Sequence, residues 1–259
     1  MRVSLSYKAQ GAAGPPVVIL HGLLGSSSNW RSIARRLAER HRVFALDLPN
    51  HGDSPHVDHM SYPAMANDVS GFLDEHGIDS ATLIGHSMGG KTAMRLALDS
   101  PRRVDRLVVV DIAPTVSEHD HVPVLHAMAC LDMARITRRS DAEQMLAANV
   151  ADPGMRQFLL QNLTSTPEGF AWRINLESIE NSLANLLEFP LDPDTQPFTG
   201  ATLFLRGGQS DYVLPKDETA IRRLFPQAEI ITIEGAGHWL HAEQPAAFLR
   251  ALGEASAKP

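Results

Sequence analysis

The sequence predicts an α/β fold: a doubly wound, mostly parallel sheet into which a helical cap is inserted. Short aliphatic and β-branched runs alternate with helical patterns over roughly the first 110 residues, which is typical of parallel strands joined by helices. The runs are continuously apolar, as expected for strands that are buried on both faces. A long stretch of helical patterns then interrupts the alternation before strands resume, which indicates an insertion.

The elements before the insertion follow from these patterns. The N-terminal residues 1–7 alternate like a strand. Continuous apolar runs predict buried strands at 17–20, 43–46, 82–84 and 107–110. Apolar residues at helical spacing predict helices at 30–40, 62–76 and 88–100.

The insertion begins after Pro114, where the strand pattern stops. Amphipathic patterns separated by Gly, Pro and Asp predict helices at 124–135, 141–149, 155–161 and 170–187, with no strand among them. The sheet then resumes with strands at 201–205 and 230–233 and helices at 216–224 and 245–255. We interpret residues 115–195 as the helical cap, and residues 1–114 with 196–259 as the core domain.

Composition excludes several other classes of protein. The 259 residues suffice for one large α/β domain. Lys and Arg total 23 against 30 Asp and Glu, a net charge of −7 without a basic run, so no nucleic-acid partner is expected. A single cysteine excludes an intrachain disulfide, and no apolar run is long enough to insert into a membrane. The N-terminus lacks the apolar core of a signal peptide, so we expect a cytoplasmic protein. The oligomeric state is not encoded in any pattern.

The segment 85–90, Gly-His-Ser-Met-Gly-Gly, has the pattern of a nucleophile elbow. It follows a predicted strand and precedes a predicted helix, which is the context that this motif requires. A serine in such a sharp turn has strained backbone angles, and glycines on either side remove side chains that would collide there. The helix beyond Ser87 points backbone N–H groups at the place where negative charge would develop in acyl transfer.

A base must activate this serine, because a neutral hydroxyl is a weak nucleophile. Of the 12 histidines, His238 is the best candidate, since it follows the last predicted strand. The carboxyl ends of parallel strands meet at one edge of a sheet, where Ser87 also lies. His241 is the second candidate, although we expect it to lie behind the site or on the surface.

Two aspartates could orient the base. Asp111 directly ends the strand 107–110, and Asp211 follows the strand 201–205. Both keep the chain order Ser, Asp, His, and spacing alone does not choose between them. For the oxyanion hole, the N–H of Met88 directly follows the nucleophile, and the N–H of Leu23 belongs to the loop after the first buried strand.

A nucleotide-binding interpretation competes locally with the hydrolytic one. Residues 85–92 also fit G-x-x-x-x-G-K-[ST], and Asp111 ends an apolar strand as a magnesium ligand would. This interpretation gives no role to the His-Gly pair at 21–22 or to the Gly-His pair at 237–238. The run Glu-His-Asp-His at 118–121 could hold a metal, but a solvated stretch is the favoured interpretation. We predict neither a metal nor an organic cofactor.

The ordered motifs resemble those of the α/β-hydrolase superfamily, and more narrowly those of YbfF-type esterases and their ABHD-type relatives. The segments that carry the likeness are 21–26 (His-Gly-Leu-Leu-Gly-Ser), 50–54 (Asn-His-Gly-Asp-Ser), 87–92 (Ser-Met-Gly-Gly-Lys-Thr), 110–114 (Val-Asp-Ile-Ala-Pro) and 237–238 (Gly-His). The resemblance implies Asp111 as the acid, with Asp211 as the alternative and Ser210 as an extra hydroxyl near His238.

The resemblance implies a serine hydrolase that cleaves small carboxylic esters or acyl thioesters through an acyl-enzyme. Ser87 would attack the carbonyl, His238 would transfer the proton, and Asp111 would orient the imidazole. The N–H groups of Leu23 and Met88 would hold the oxyanion. Carbon–carbon bond hydrolysis and a hydrolase-like small-molecule receptor are alternatives on the same fold, because a fold does not fix a reaction. A P-loop nucleotide hydrolase is a more remote alternative.

Overall fold

A computed structural model shows a seven-stranded sheet between two helical layers, with the backbone described for residues 2–256 and the side chains for residues 2–253. The strands are β1 (Tyr7–Gln10), β2 (Pro16–Leu20), β3 (Arg42–Leu46), β4 (Ala81–His86), β5 (Val104–Val110), β6 (Leu163–Thr166), β7 (Gly169–Trp172), β8 (Ala201–Gly207) and β9 (Ala228–Ile233). The sheet order is β1-β3-β2-β4-β5-β8-β9, with β1 antiparallel to β3 and the other neighbours parallel. The predicted fold class is confirmed.

Helices cover both faces of this sheet and make up much of the segment between β5 and β8. They are α1 (Arg31–Leu37), α2 (Tyr62–Glu75), α3 (Met88–Asp99), α4 (Val122–Ala129), α5 (Arg139–Leu146), α6 (Pro153–Leu160), α7 (Leu176–Asn181), α8 (Leu183–Leu187), α9 (Glu218–Leu224), α10 (Leu240–Glu243) and α11 (Pro245–Ser256). Within the described part of the chain, no helix is long and apolar enough to cross a membrane.

Successive strand residues supply the two halves of the core, because side chains alternate across a sheet. In β2, Val17 and Ile19 pack with α1 and α11, whereas Val18 and Leu20 pack with α2 and α3. All four side chains are buried. This two-sided burial explains why the strands read as continuous apolar runs and not as alternating ones.

The strand register aligns the ends of the central strands. His86 pairs with Val110, and Val110 pairs with Leu205. Ser87 and Asp111 therefore follow paired residues of neighbouring parallel strands. The register alone places a serine and a carboxylate side by side at the carboxyl edge of the sheet.

The segment between β5 and β8 contains five helices and a β-hairpin among its described residues. The prediction that it has no strand is wrong, because β6 pairs antiparallel with β7. The run Leu-Thr-Ser-Thr of β6 has only one strongly apolar residue and so gives no strand signal. Gly169, at φ 129°, begins β7 directly after the turn at 167–168. The boundaries 115–195 for a separate cap domain stay a prediction.

Local capping explains two further differences in the insertion. The helix predicted at 124–135 ends at Ala129, because the Asp132 side chain accepts from Ala134 N and starts a separate 3-10 turn. The helix predicted at 170–187 is a strand followed by two short helices. The Asn175 side chain accepts from Ser178 N at 3.1 Å and begins the first of them.

The alternating N-terminal residues form a strand only from Tyr7 onward; Met1 lies outside the described residues. The preceding backbone is held largely by side chains, although Ser6 O also accepts from Asp47 N, directly after β3, at 2.8 Å. Val3 N donates to Asp68 Oδ1 at 2.9 Å, and Ser6 N donates to Ser54 Oγ at 2.8 Å. The alternation in this stretch therefore reflects which side chains are buried, such as Leu5, and not a longer strand.

The turn after β3 joins the sheet to the insertion through Asn50, which is buried at φ 66°. Its Oδ1 accepts from Val57 N at 2.8 Å, and its Nδ2 donates to Ser178 Oγ at 2.9 Å. Its backbone carbonyl accepts from Asn175 N at 3.1 Å. Asparagine suits this position because its short polar side chain tolerates the left-handed region.

Replacing Asn50 by alanine should lower the free energy of unfolding by about 2–4 kcal/mol, through two lost buried hydrogen bonds and an unfavourable positive φ. Urea denaturation followed by tryptophan fluorescence measures this change. The matched control is Asn149→Ala, at an exposed residue of the insertion, which should change stability by less than about 0.5 kcal/mol. Equal effects of the two variants would contradict this role for Asn50.

Candidate active site

Ser87 lies in a strained turn between β4 and α3, at φ 50° and ψ −117°. The adjacent glycines are required by close backbone approach. A Cβ on Gly85 would lie 2.2 Å from the Gly89 carbonyl oxygen, and a Cβ on Gly89 would lie 2.4 Å from the Leu20 carbonyl oxygen. Ser87 N donates to Val110 O at 3.0 Å, which ties the turn to the end of β5. This is the backbone of a nucleophile elbow.

Two backbone N–H groups beside Ser87 suit an oxyanion hole. Met88 is the first residue of α3, whose first turn closes with Lys91 N donating to Ser87 O at 3.0 Å. The Met88 N–H therefore precedes the intrahelical hydrogen bonds and lies at the positive end of the helix dipole. Leu23 lies in the loop after β2 and borders the same cavity as Ser87. The roles of Leu23 and Met88 stay a prediction.

Two buried histidines hold the loop that contains Leu23. His21 Nδ1 donates to Gly22 O at 2.8 Å, and its Nε2 accepts from Leu48 N at 2.9 Å. His51 Nδ1 donates to Pro49 O, and its Nε2 accepts from Leu24 N at 3.1 Å. Each ring therefore uses one nitrogen as donor and one as acceptor, which requires the neutral form. Burial lowers the pKa of His51 to about 3 and also lowers the pKa of His21, so both rings stay neutral.

Asp111 and His238 are brought together directly. His238 Nδ1 donates to Asp111 Oδ2 at 2.8 Å, so in the neutral imidazole Nε2 is left as a proton acceptor. Asp111 also accepts from Gly207 N at 2.9 Å and from the Ser210 hydroxyl. The sequence placed Ser210 near the histidine, and the structure places its hydroxyl on the acid itself.

Asp211 lies elsewhere. Its carboxylate accepts from His119 Nε2 at 2.9 Å. The Asp211 side chain is 78% exposed, whereas that of Asp111 is fully buried. The geometry therefore pairs Asp111, and not Asp211, with the candidate base.

The electrostatics of the pair suit a base that is neutral near pH 7. Burial raises the pKa of Asp111 to about 6, while the hydrogen bonds from Ser210 and Gly207 act in the opposite direction. Burial lowers the pKa of His238 below its ordinary value of 6.5. At neutral pH the acid is ionised and the imidazole can accept a proton.

Three aromatic rings stack at the mouth of the site. The Tyr212 ring lies 3.6 Å from the His238 ring and 3.5 Å from the His119 ring, centroid to centroid, and is nearly parallel to both. Tyr212 N also donates to Ser210 Oγ at 3.3 Å. The stack therefore restrains the plane of the His238 imidazole. The sequence analysis missed Tyr212, and it interpreted His119 as part of a solvated stretch.

Two more histidines, His86 and His241, lie next to His238. His86 Nε2 donates to the His238 carbonyl oxygen at 2.9 Å, which fixes the backbone at His238. His241 stacks on Trp30 with centroids 4.1 Å apart and is buried, so it does not lie on the surface. It borders the same cavity as Ser87 and His238. Burial lowers the pKa of both imidazoles, which keeps additional positive charge away from His238.

Lys91, the lysine of the competing nucleotide motif, points into the insertion. Its Nζ donates to Leu187 O at 2.7 Å and to Glu188 O at 3.0 Å, and the side chain is almost fully buried. These carbonyls lie at the end of α8, where a cation is favoured by the helix dipole. Burial lowers the pKa of Lys91 to about 8. It is a structural contact to the insertion and not an exposed phosphate ligand.

A cavity of about 640 Å³ opens beside these groups. Ser87, His86 and His238 border it, together with the apolar rings of Phe158 and Trp239. This volume is within the range of small-molecule sites. The cavity therefore brings an organic ligand within reach of the serine and the imidazole.

The fold and the elbow define the class of protein, and the comparisons agree. A family model described as alpha/beta hydrolase fold matches residues 15–245. The chain belongs to the α/β-hydrolase family.

Particular relatives are similar over most of their length. The chain is 44% identical to the mouse sn-1-specific diacylglycerol lipase ABHD11, over 92% of this chain and 80% of that protein. It is 36% identical to the esterase YbfF of Escherichia coli, over 96% and 98%. The solved structure of a marine microorganism esterase superposes with a TM-score of 0.93 at 39% identity, over 97% and 99%. The resemblance to ABHD-type and YbfF-type proteins is confirmed.

Asp111→Asn should lower kcat for ester hydrolysis by roughly 10⁴-fold, because the amide no longer stabilises the imidazolium or fixes its tautomer. Asp211→Asn removes the same charge at an exposed position and should cost less than about tenfold. Steady-state kinetics of both purified variants measure the difference. A larger loss in Asp211→Asn than in Asp111→Asn would contradict the pairing seen in the structure.

If His238 is the base and Asp111 orients it, the rate should fall as the pH drops through about 6, because these roles need an unprotonated imidazole and an ionised carboxylate. The Ser210 hydroxyl lowers the pKa of Asp111, so Ser210→Ala should raise that pKa and move the acid limb to higher pH. Profiles of kcat/KM against pH measure both effects. Ser165→Ala, in an exposed position of β6, is the control and should leave the limb in place. If the acid limb of the Ser210→Ala profile stays at the wild-type pH or moves to lower pH, then Asp111 does not set that limb.

Proposed function

We propose that the chain is a serine hydrolase that cleaves carboxylic esters or acyl thioesters through an acyl-enzyme. The relatives named as a lipase and an esterase, with the esterase of similar structure, make it an ester-cleaving enzyme. The serine mechanism rests chiefly on one observation: the 2.8 Å hydrogen bond between His238 and buried Asp111, beside Ser87 in its strained turn.

The first half-reaction would begin with transfer of the Ser87 proton to His238 Nε2. The serine oxygen attacks the ester carbonyl, and the N–H groups of Leu23 and Met88 stabilise the oxyanion. The tetrahedral intermediate then collapses, and the imidazolium gives its proton to the leaving alcohol or thiol. Asp111 stabilises the imidazolium throughout without taking the proton.

The second half-reaction would repeat these steps with water. His238 takes a proton from water, hydroxide attacks the acyl-enzyme, and the carboxylic acid departs as Ser87 regains its proton. The large cavity supports this cycle, because its open mouth lets the alcohol leave and water enter after acylation. Burial of Asp111 strengthens its interaction with the imidazolium in the surrounding low dielectric.

The serine mechanism predicts that Ser87→Ala loses at least about 10⁴-fold in kcat on a panel of p-nitrophenyl esters and acyl-CoAs. Ser165→Ala, which removes an exposed hydroxyl, is the matched control and should keep the wild-type rate. Acid-quenched wild-type enzyme should carry the acyl mass on the peptide that contains residue 87.

Wild-type activity in Ser87→Ala would contradict the serine mechanism. ATP hydrolysis that is lost in Lys91→Met but kept in Ser87→Ala would instead support the nucleotide-binding alternative. The kinetic panel and the mass measurement use the same preparations, so the two alternatives are compared directly.

A further inference from the structure

A second, much smaller cavity adjoins Ser87. Its volume is about 20 Å³, on a scale where one water molecule needs about 10–15 Å³. Leu23 and Met88, the two candidate oxyanion donors, both border it. Among the described residues around this small cavity, His238 is absent, whereas it borders the large cavity.

Six of the twelve described residues that border the small cavity are apolar. Besides Leu23 and Met88, these are Ile112 in the loop after β5 and Leu183, Leu186 and Leu187 of α8. The polar residues are Tyr62, Ser87, Lys91, Ser117, His121 and Tyr212. Tyr62 and Lys91 already donate to carbonyl oxygens of α8 and of Glu188 directly after it. The apolar side chains then favour a hydrocarbon group in this cavity. The volume matches a methyl group or a short alkyl chain.

Buried hydrogen bonds fix the size of this cavity. Tyr62 O–H donates to Leu186 O at 2.5 Å, and Lys91 Nζ donates to Leu187 O and Glu188 O. Lys91 lies one helical turn beyond Ser87 on α3, and both donor side chains are about 1% exposed. Moving α8 away to admit a longer chain would leave these buried polar groups unpaired, which is strongly unfavourable.

The positions of the two cavities indicate where the alcohol part and the acyl part of an ester would bind. The leaving oxygen must come within hydrogen-bond reach of His238, so the alcohol part occupies the large cavity that His238 borders. The carbonyl oxygen occupies the oxyanion hole at Leu23 and Met88. The remaining substituent of the carbonyl carbon is the acyl chain, and the small cavity beside those donors receives it.

We propose that the small cavity is an acyl subsite closed by Lys91 and Tyr62, and that it selects esters of short carboxylic acids, about two to four carbons long. The alcohol part of the substrate is bulkier and fills the large cavity. This inference rests on the proposed function, since it takes Ser87 as the nucleophile. It also gives the lysine of the Gly-Gly-Lys-Thr segment a role: its aliphatic stem bounds the subsite while its amine holds α8.

The test is a series of p-nitrophenyl esters from acetyl to dodecanoyl, because the alcohol part is then constant. For the wild type, kcat/KM should fall at least about tenfold between the butanoyl and octanoyl esters. Leu186→Ala enlarges the subsite and should raise the octanoyl-to-acetyl ratio of kcat/KM about tenfold or more. Leu146→Ala removes an equally buried leucine of α5 that borders neither cavity, and should leave this ratio unchanged.

Three outcomes would overturn the subsite. A wild-type preference for octanoyl or longer esters would do so while leaving the proposed function intact, as would an unchanged ratio in folded Leu186→Ala. If no ester is hydrolysed and a fluorophosphonate does not label Ser87, the proposed function fails and the subsite fails with it. Should Leu186→Ala not fold, Leu183→Ala makes a similar enlargement, and the wild-type series decides the question by itself.

Discussion

The rest of the site depends on the hydrogen bonds that the buried carboxylate of Asp111 accepts. It accepts from Gly207 N at the end of β8, from the Ser210 hydroxyl in the following loop, and from His238 Nδ1 in the loop after β9. Asp111 N in turn donates to Leu205 O at 2.8 Å. One residue thus joins three parallel strand ends.

Backbone strain is concentrated at the same edge of the sheet. Among the described residues, the four non-glycine residues with positive φ all lie in the loops after β2, β3, β4 and β5; they are Leu24, Asn50, Ser87 and Asp111. Each is held by hydrogen bonds to a neighbouring strand end, a buried histidine or the insertion. Strained residues persist only where the surrounding structure determines them strongly. A rigid sheet edge therefore carries the conformations that the proposed chemistry requires.

The sequence was most informative where physical constraints are local. Strands buried on both faces must be continuously apolar, so β2 to β5 could be predicted closely, and the elbow needs small residues around Ser87. The acid could not be chosen from spacing, because Asp111 and Asp211 both follow strands; the family resemblance favoured Asp111. Contacts between distant segments left no local pattern, which is why the Tyr212 stack, the Lys91 contact and the β6–β7 hairpin were missed.

The hydrogen-bonded proton of His238 reports most directly on its pairing with Asp111. Proton–nitrogen NMR of ¹⁵N-histidine-labelled protein observes this proton, and His238→Gln assigns it. We expect a strongly downfield Nδ1–H signal near neutral pH, with Nε2 unprotonated. This signal should be lost or moved far upfield in Asp111→Asn and retained in Asp211→Asn. A signal that survives in Asp111→Asn but is lost in Asp211→Asn would contradict the central claim that buried Asp111 orients the base.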